Sequence, residues 1–163
     1  MKLLAIDPGS KNLGYTAINI LDDRFVLMKY GVISSNKKKQ VQRLESIYWD
    51  LKMLFDEVKP SKVAIETGFI NNNYKNAIIP LARTQGIIIG LCAEYLADLH
   101  EYEPKTIKKC VWSGKASKMD IAHIVKNYMH IDQSKQLGTD ITDSMAIAIC
   151  FMHREILQAN GSV

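Results

Sequence analysis

Long apolar runs are missing from this chain. The longest candidate, Ala77 to Leu99, is interrupted by Pro80, Arg83, Gln85, Glu94 and Asp98, short of the roughly 18 consecutive apolar residues that a bilayer span requires. The opening Met1-Lys2-Leu3-Leu4-Ala5-Ile6 has the basic-then-apolar start of a signal peptide, but it stops at Asp7-Pro8-Gly9 before an export signal is complete. The expectation is a protein that stays in the cytoplasm, with no membrane partner. Cysteine is scarce as well. Cys92, Cys110 and Cys150 are far apart and odd in number, which excludes a disulfide framework and a zinc-type ligand spacing and leaves reduced core residues. Internal repeats and Pro/Gly/Ser-rich linkers are absent, so residues 1–159 read as one domain and 160–163 as a frayed tail.

What is present suits a buried core: 163 residues, 47% of them apolar and 23% charged, is enough for one domain of ordinary size. The net charge of +4 by itself implies only solubility. Its distribution says more. Lysines 105, 108, 109, 115 and 118 fall between Pro104 and Lys118 with no acid among them, and Lys37, Lys38, Lys39 and Arg43 form a second basic cluster. Each is either the footprint of a phosphate-backbone binder or a solvated face.

Residues 2–6 are an apolar run closed by Pro8-Gly9, as in a buried strand. Tyr15 to Leu21, the Asp22-Asp23 turn and Phe25 to Ile33 read as a hairpin against it. Leu44, Ile47, Leu51, Leu54, Phe55 and Val58 recur at helical spacing, which predicts a helix over 38–58 stopped by Pro60. Lys62 to Glu66 has the unalternating pattern of a strand covered on both faces. Thr67 to Asn73 is a loop, and helical spacing resumes from Tyr74 to Leu99, with Pro80 kinking or dividing it. His100 to Glu103 is a short edge strand. Pro104 opens a helix through Val111, Trp112 to Ala116 is a basic loop, and Ser117 caps a helix to Tyr128. A last helix runs from Thr139 to about Gln158. This order predicts an α/β fold: one mixed five-stranded sheet with helices on both faces.

Four acids stand in places that demand a reason. Asp7 follows the first apolar strand, at a sheet end where α/β folds gather ligands, although an Asp before Pro-Gly can also close its own turn. Glu66 ends the otherwise apolar Val63-Ala64-Ile65, where a charge is costly without a partner unless the strand end is exposed. Asp140 and Asp143 are three apart at the head of an apolar helix and share a face; acids there also favour the helix dipole. Taken together, the four make a set of hard oxygen ligands suited to Mg²⁺ or Mn²⁺.

Asp7-Pro8-Gly9-Ser10 with Gly14-Tyr15, then Ala64-Ile65-Glu66, then Asp140-Ile141-Thr142-Asp143-Ser144-Met145-Ala146-Ile147-Ala148 resembles the RuvC family of Holliday-junction resolvases, over residues 1–152. The resemblance implies a ribonuclease-H-like fold, a homodimer, and a structure-specific endonuclease that resolves four-way or related branched DNA. It implies two divalent cations per active site, Mg²⁺ with Mn²⁺ as substitute, and products with 5′-phosphate and 3′-hydroxyl ends. Carried over by motif, Asp7, Glu66, Asp140 and Asp143 are catalytic and metal-binding, Phe69 stacks on a base at the junction centre, and Lys108 and Lys118 lie at the scissile strand. Lys115 joins them on the phosphate track by its place in the basic segment.

The chain departs from the family pattern at Ala82-Arg83-Thr84-Gln85-Gly86, where Gly-Gln-Ala-Arg-Gly is usual, and the Asn71-Asn72-Asn73-Tyr74 loop is about one residue longer. Such departures suit a divergent viral or mobile-element branch and bear on junction selectivity rather than on the chemistry. Two rivals share some features. An actin-like ATPase also opens with Asp-x-Gly-Ser after a strand, but needs a second lobe that this length does not supply. A non-catalytic DNA-binding module keeps the basic patches without needing all four acids. Paired cutting implies a C2 dimer, for which the stripe Ile78, Leu81, Gln85, Ile88, Ile89 and Cys92 is one candidate surface; the same pattern also serves a core-facing helix.

Overall fold

The first three strands form an antiparallel meander: β1 (Lys2–Asp7), β2 (Asn12–Leu21) and β3 (Arg24–Ser34). The structure, a computed structural model, describes residues 1–22, 24–67, 75–112 and 118–157, with the side chains of 75–77, 118 and 119 outside that description. β2 begins three residues earlier than its apolar pattern suggests, because Asn12 already pairs with Ser34 and Gly14 with Asp7. Asp22, at φ 56°, takes the left-handed conformation that the hairpin turn needs.

β4 (Lys62–Glu66) adds in parallel beside β1, and β5 (Asp98–Tyr102) in parallel beside β4, giving the order β3-β2-β1-β4-β5. β5 starts two residues before the expected edge strand and ends one residue earlier: its register against β4 runs from Lys62↔Asp98 to Glu66↔Tyr102, and Glu103 becomes the N-cap of the next helix.

Leu3, Leu4, Ala5 and Ile6 of β1 are all fully buried, since helices cover both faces of the central strands. On one face α1 (Gln40–Val58) and α2 (Lys75–Glu94) pack Ile47, Leu51, Phe55, Ile88 and Leu91 against Leu4, Ile6, Val63 and Ile65. On the other, α3 (Pro104–Val111), α4 (Lys118–Tyr128) and α5 (Thr139–Phe151) pack against Leu3, Ala5, Ile18 and Ala64. The expected mixed five-stranded sheet with helices on both faces is the observed one.

Helix boundaries follow local chemistry. α1 starts at Gln40, because Lys39 is still extended, and ends at Val58, capped by Lys59, whose left-handed backbone returns its N–H to the Phe55 carbonyl just before Pro60. α2 is not divided at Pro80: the helix runs through it, and the bond that Pro80 cannot make concerns only a carbonyl of the first turn. It stops at Glu94 rather than Leu99, since Leu96 turns left-handed and Asp98 enters β5.

The stripe proposed on α2 is split by the fold. Ile88 and Cys92 are 0% and 4% exposed and belong to the core, whereas Ile89 is 47% and the neighbouring Ile79 57% exposed. α5 is α-helical only to Phe151 and continues as a π-helix over Met152–Leu157, where Tyr102 Oη donates to Glu155 Oε1 at 3.0 Å. The capping role expected of Ser117 and the tail at 160–163 lie outside the described residues.

Candidate active site

Strand alternation decides which way the two strand acids point. Leu3 and Ala5 of β1 and Ala64 of β4 pack into the core on the α5 side, and Leu4, Ile6, Val63 and Ile65 into the opposite one. The two-residue period therefore directs Asp7 and Glu66 to the α5 face. β1 and β4 are parallel and in register through Ile6↔Ile65, so Asp7 and Glu66 end adjacent strands side by side, about 5 Å apart along the backbone ladder.

α5 brings the second pair. Gly138 is its N-cap and makes no side-chain capping bond, Asp140 lies in the first turn, and Asp143 lies beyond it. Helix-dipole stabilisation therefore does not account for Asp143. Three contacts seat this helix end on the sheet. A Cβ on Gly14 would stand 1.7 Å from the Asp140 carbonyl oxygen, so only glycine lets the backbone approach this closely. The hydroxyls of Thr16 and Ser144, both fully buried, share a 2.7 Å hydrogen bond, and Ser144 Oγ also reaches the Ile141 carbonyl at 2.8 Å. Reading the sequence missed Thr16 and took Ser144 only as part of the α5 motif; a threonine on the inward face of a buried strand was the available signal. On the other side of the sheet, Gln85 Nε2 donates to the Glu66 carbonyl at 3.3 Å and ties α2 to the end of β4.

The acids act on one another. Burial, reinforced by the charges of Asp143, Glu66 and Asp140, pushes the Asp7 carboxyl up to about 7. Burial and then Asp143 also raise Glu66, and Lys108 partly offsets this. Glu66, Asp143 and Lys108 line one small cleft of about 60 Å³ with Pro104, Ile107 and Val111 of α3, Ile121 of α4 and Ala146 of α5. α3 thus supplies the local positive charge. Among the described residues, no three His, Cys, Asp or Glu side chains are already close enough together to hold an ion. The donor set is nonetheless that of a hard divalent cation, carboxylate oxygens only, with Asp7, Glu66, Asp140 and Asp143 as the residues that could hold it.

Of the other expected site residues, Lys108 is exposed at the cleft. Lys118 opens α4, with its side chain outside the description, and Phe69 and Lys115 lie outside the described residues.

Strand order and acid placement define the class: a ribonuclease-H-like α/β fold with one acid at the carboxyl end of each of two neighbouring parallel strands and two more on the helix packed against them. The family described as crossover junction endodeoxyribonuclease RuvC matches residues 3–151, and the chain belongs to that family of metal-dependent hydrolases. Among its relatives, the RuvC of Alkaliphilus oremlandii is 34% identical over 155 residues, 94% of this chain and 93% of the relative. The fold is shared with Thermus thermophilus RuvC in complex with a Holliday junction substrate, at TM-score 0.81 and 19% identity over 99% of this chain and 97% of that one. It is also shared with the yeast mitochondrial Holliday junction resolvase, at TM-score 0.73 and 15% identity over 98% and 81%.

The raised Asp7 has a consequence for stability. An acid whose pKa is higher folded than unfolded makes the native state bind more protons, so its ionisation costs stability as pH rises through that window. In metal-free buffer, Asp7→Asn is expected to stabilise the fold by about 2–4 kcal/mol at about pH 8. The gain should fade as pH falls from about 7 toward 4. Urea denaturation at the two pH extremes checks this; a variant less stable than wild type at the alkaline end would contradict it.

Proposed function

We propose that this chain is a structure-specific endonuclease of four-way and related branched DNA, with one nuclease domain over 1–159 that acts inside the cell. Among the described residues, no helix is long and apolar enough to cross a membrane. The observation that carries the reading is the placement of Asp7 and Glu66, on the α5 side of adjacent parallel strands, opposite Asp140 and Asp143, in a chain that the family matches over 3–151. A DNA-binding module without catalysis has no need of an acid held up to about 7 by burial and then by three neighbouring acids.

In this reading Asp7, Glu66, Asp140 and Asp143 hold two divalent cations, Mg²⁺ or Mn²⁺. Bound there, such ions supply an activated water for in-line attack and offset charge on the departing 3′ oxygen, leaving 5′-phosphate and 3′-hydroxyl ends. The protein's part is to keep four carboxylates in one place. The sheet register holds Asp7 and Glu66, and Gly14 with the Thr16–Ser144 pair holds the acid end of α5. Lys108, beside Glu66, neutralises charge on the scissile phosphate, while Lys115 and Lys118 hold the phosphate track without reading bases. Phe69 stacks on a base where the junction has already opened the stack, for about 1–3 kcal/mol.

Asp→Asn or Glu→Gln at each of the four acids is expected to abolish cutting of a labelled junction and to leave binding in EDTA within about threefold, because phosphate contacts supply most affinity. Lys108→Ala should slow cutting and lower the salt slope of binding by about one counterion. A normally cutting Asp143 variant would remove that residue from the metal-holding set.

Two cuts related by a twofold axis call for a homodimer. Its surface in this reading is the outer side of α2, where Ile79 and Ile89 are exposed beside the small residues Ala82, Gly86 and Ala93. Ile89→Asp is expected to give folded monomers by sedimentation. Ile88→Asp, at a fully buried position, should unfold the domain, at a cost of more than about 3 kcal/mol. A dimer that survives Ile89→Asp rules out this face.

A further inference from the structure

The basic cluster of the β3–α1 loop is not used by the site just described, yet the topology brings it to the same end of the molecule. Asp7 leaves the sheet where Gly14 enters, and Asn12, two residues nearer the edge of that end, pairs with Ser34, the last residue of β3. The Ser35 N–H donates to the Lys11 carbonyl at 3.0 Å, joining the loop that follows Asp7 to the loop that carries the lysines. Two strand spacings and two residue rises put Ser34 about 12 Å from Asp7, with Lys37, Lys38 and Lys39 just beyond.

This stretch is concentrated positive charge. From Arg24 to Leu44 the chain has six basic residues and no acid, and the first turn of α1 contains none either. Three other lysines are paired with carboxylates: Lys29 with Glu57, Lys52 with Glu94, Lys62 with Asp98. Lys62 and Asp98 begin their strands, at the end of the sheet away from Asp7. Among the described residues, no carboxylate pairs with Lys11, Lys37, Lys38 or Lys39, all of them exposed.

The loop is also held in shape. The Arg43 guanidinium donates to the Lys37 carbonyl at 3.1 and 3.0 Å and to the Lys38 carbonyl at 3.4 Å. One cation is thus spent internally to fix the backbone that carries three others. A fixed row of unpaired lysines, continuous with the loop after Asp7, matches a repeating anion better than a single one.

We propose that Lys37, Lys38 and Lys39, with Lys11, form a second contact that grips the phosphate backbone of a duplex arm outboard of the cut. At 3.4 Å per base pair, the distance corresponds to about 3 to 6 base pairs from the scissile phosphate. The inference rests on the nuclease reading and adds where an arm lies. It also separates two uses of charge: lysines on α3 act at the reacting phosphate, and the β3–α1 loop orients the arm.

The test is read on binding in EDTA, independently of cutting. Affinity for a four-way junction is measured against salt concentration for wild type and for Lys37→Ala/Lys38→Ala/Lys39→Ala, on natural DNA and on a junction carrying uncharged methylphosphonates about 3 to 6 base pairs from the cut. The triple variant is expected to lower the salt slope by about 2 to 3 on natural DNA and to match wild type on the neutral-patch junction. Lys→Arg at the three positions should restore the slope. An unchanged slope on natural DNA, or an equal loss on both junctions, overturns the arm contact while leaving the nuclease reading intact. Wild type that binds junctions but cuts none with any divalent cation overturns the nuclease reading instead.

Discussion

The structure turns on a repulsion that the fold enforces. Four carboxylates face one space at the end of the sheet, and Asp7 is held up to about 7 by burial and by the other three. Left to local forces the acids would separate, since each loses water and gains like-charged neighbours. The register of β1 against β4 prevents separation on one side. On the other, the close seat of α5 does so, through a glycine no larger residue can replace without moving Asp140 and through a buried hydroxyl pair. Stability is surrendered at one end of an otherwise well-packed sheet, where the acids meet.

The two cores divide the work. The α1/α2 side is apolar packing around Leu4, Ile6, Phe55 and Ile88, and it gives the sheet its rigidity. The α5 side has the same apolar depth, but its rim is polar: Thr16, Ser144, the acid pair and the α3 lysine converge there. α3 is short and begins with a proline, which suits a helix whose job is to carry Lys108 to the cleft beside Glu66. The π-helical continuation of α5 is held through Tyr102 and Glu155 to the end of β5, where Tyr102 pairs with Glu66.

Much of this was legible in the chain. β1 and β4 announce themselves as unalternating apolar runs ending in an acid, and α1 by six apolar residues at helical spacing before Pro60. The i,i+3 acids of α5 stand out against Ala146-Ile147-Ala148-Ile149. Errors fell where local signals oppose tertiary ones. Pro80 suggested a kinked or divided helix, and the helix is not divided there, because Pro80 stands near enough to its start to be accommodated. His100 suggested where β5 begins, but pairing with β4 starts at Asp98. The α2 stripe joined Ile88 and Ile89 as one surface, although a turn of 100° per residue sends the first into the core and the second to solvent.

The sequence by itself determined the fold class and the family and singled out four acids as candidates, because period-two and period-3.6 patterns and short motifs are local properties of a chain. Only the tertiary structure decided which side of the sheet Asp7 and Glu66 face and how α5 is seated. It also decided that Thr16, Gly14 and Gln85 support the site, and that the lysines of the β3–α1 loop lie at its end of the sheet. Those facts depend on strand pairing and helix docking between residues as far apart as Thr16 and Ser144. Such contacts arise from burial and register summed over the whole domain, which no window of sequence contains.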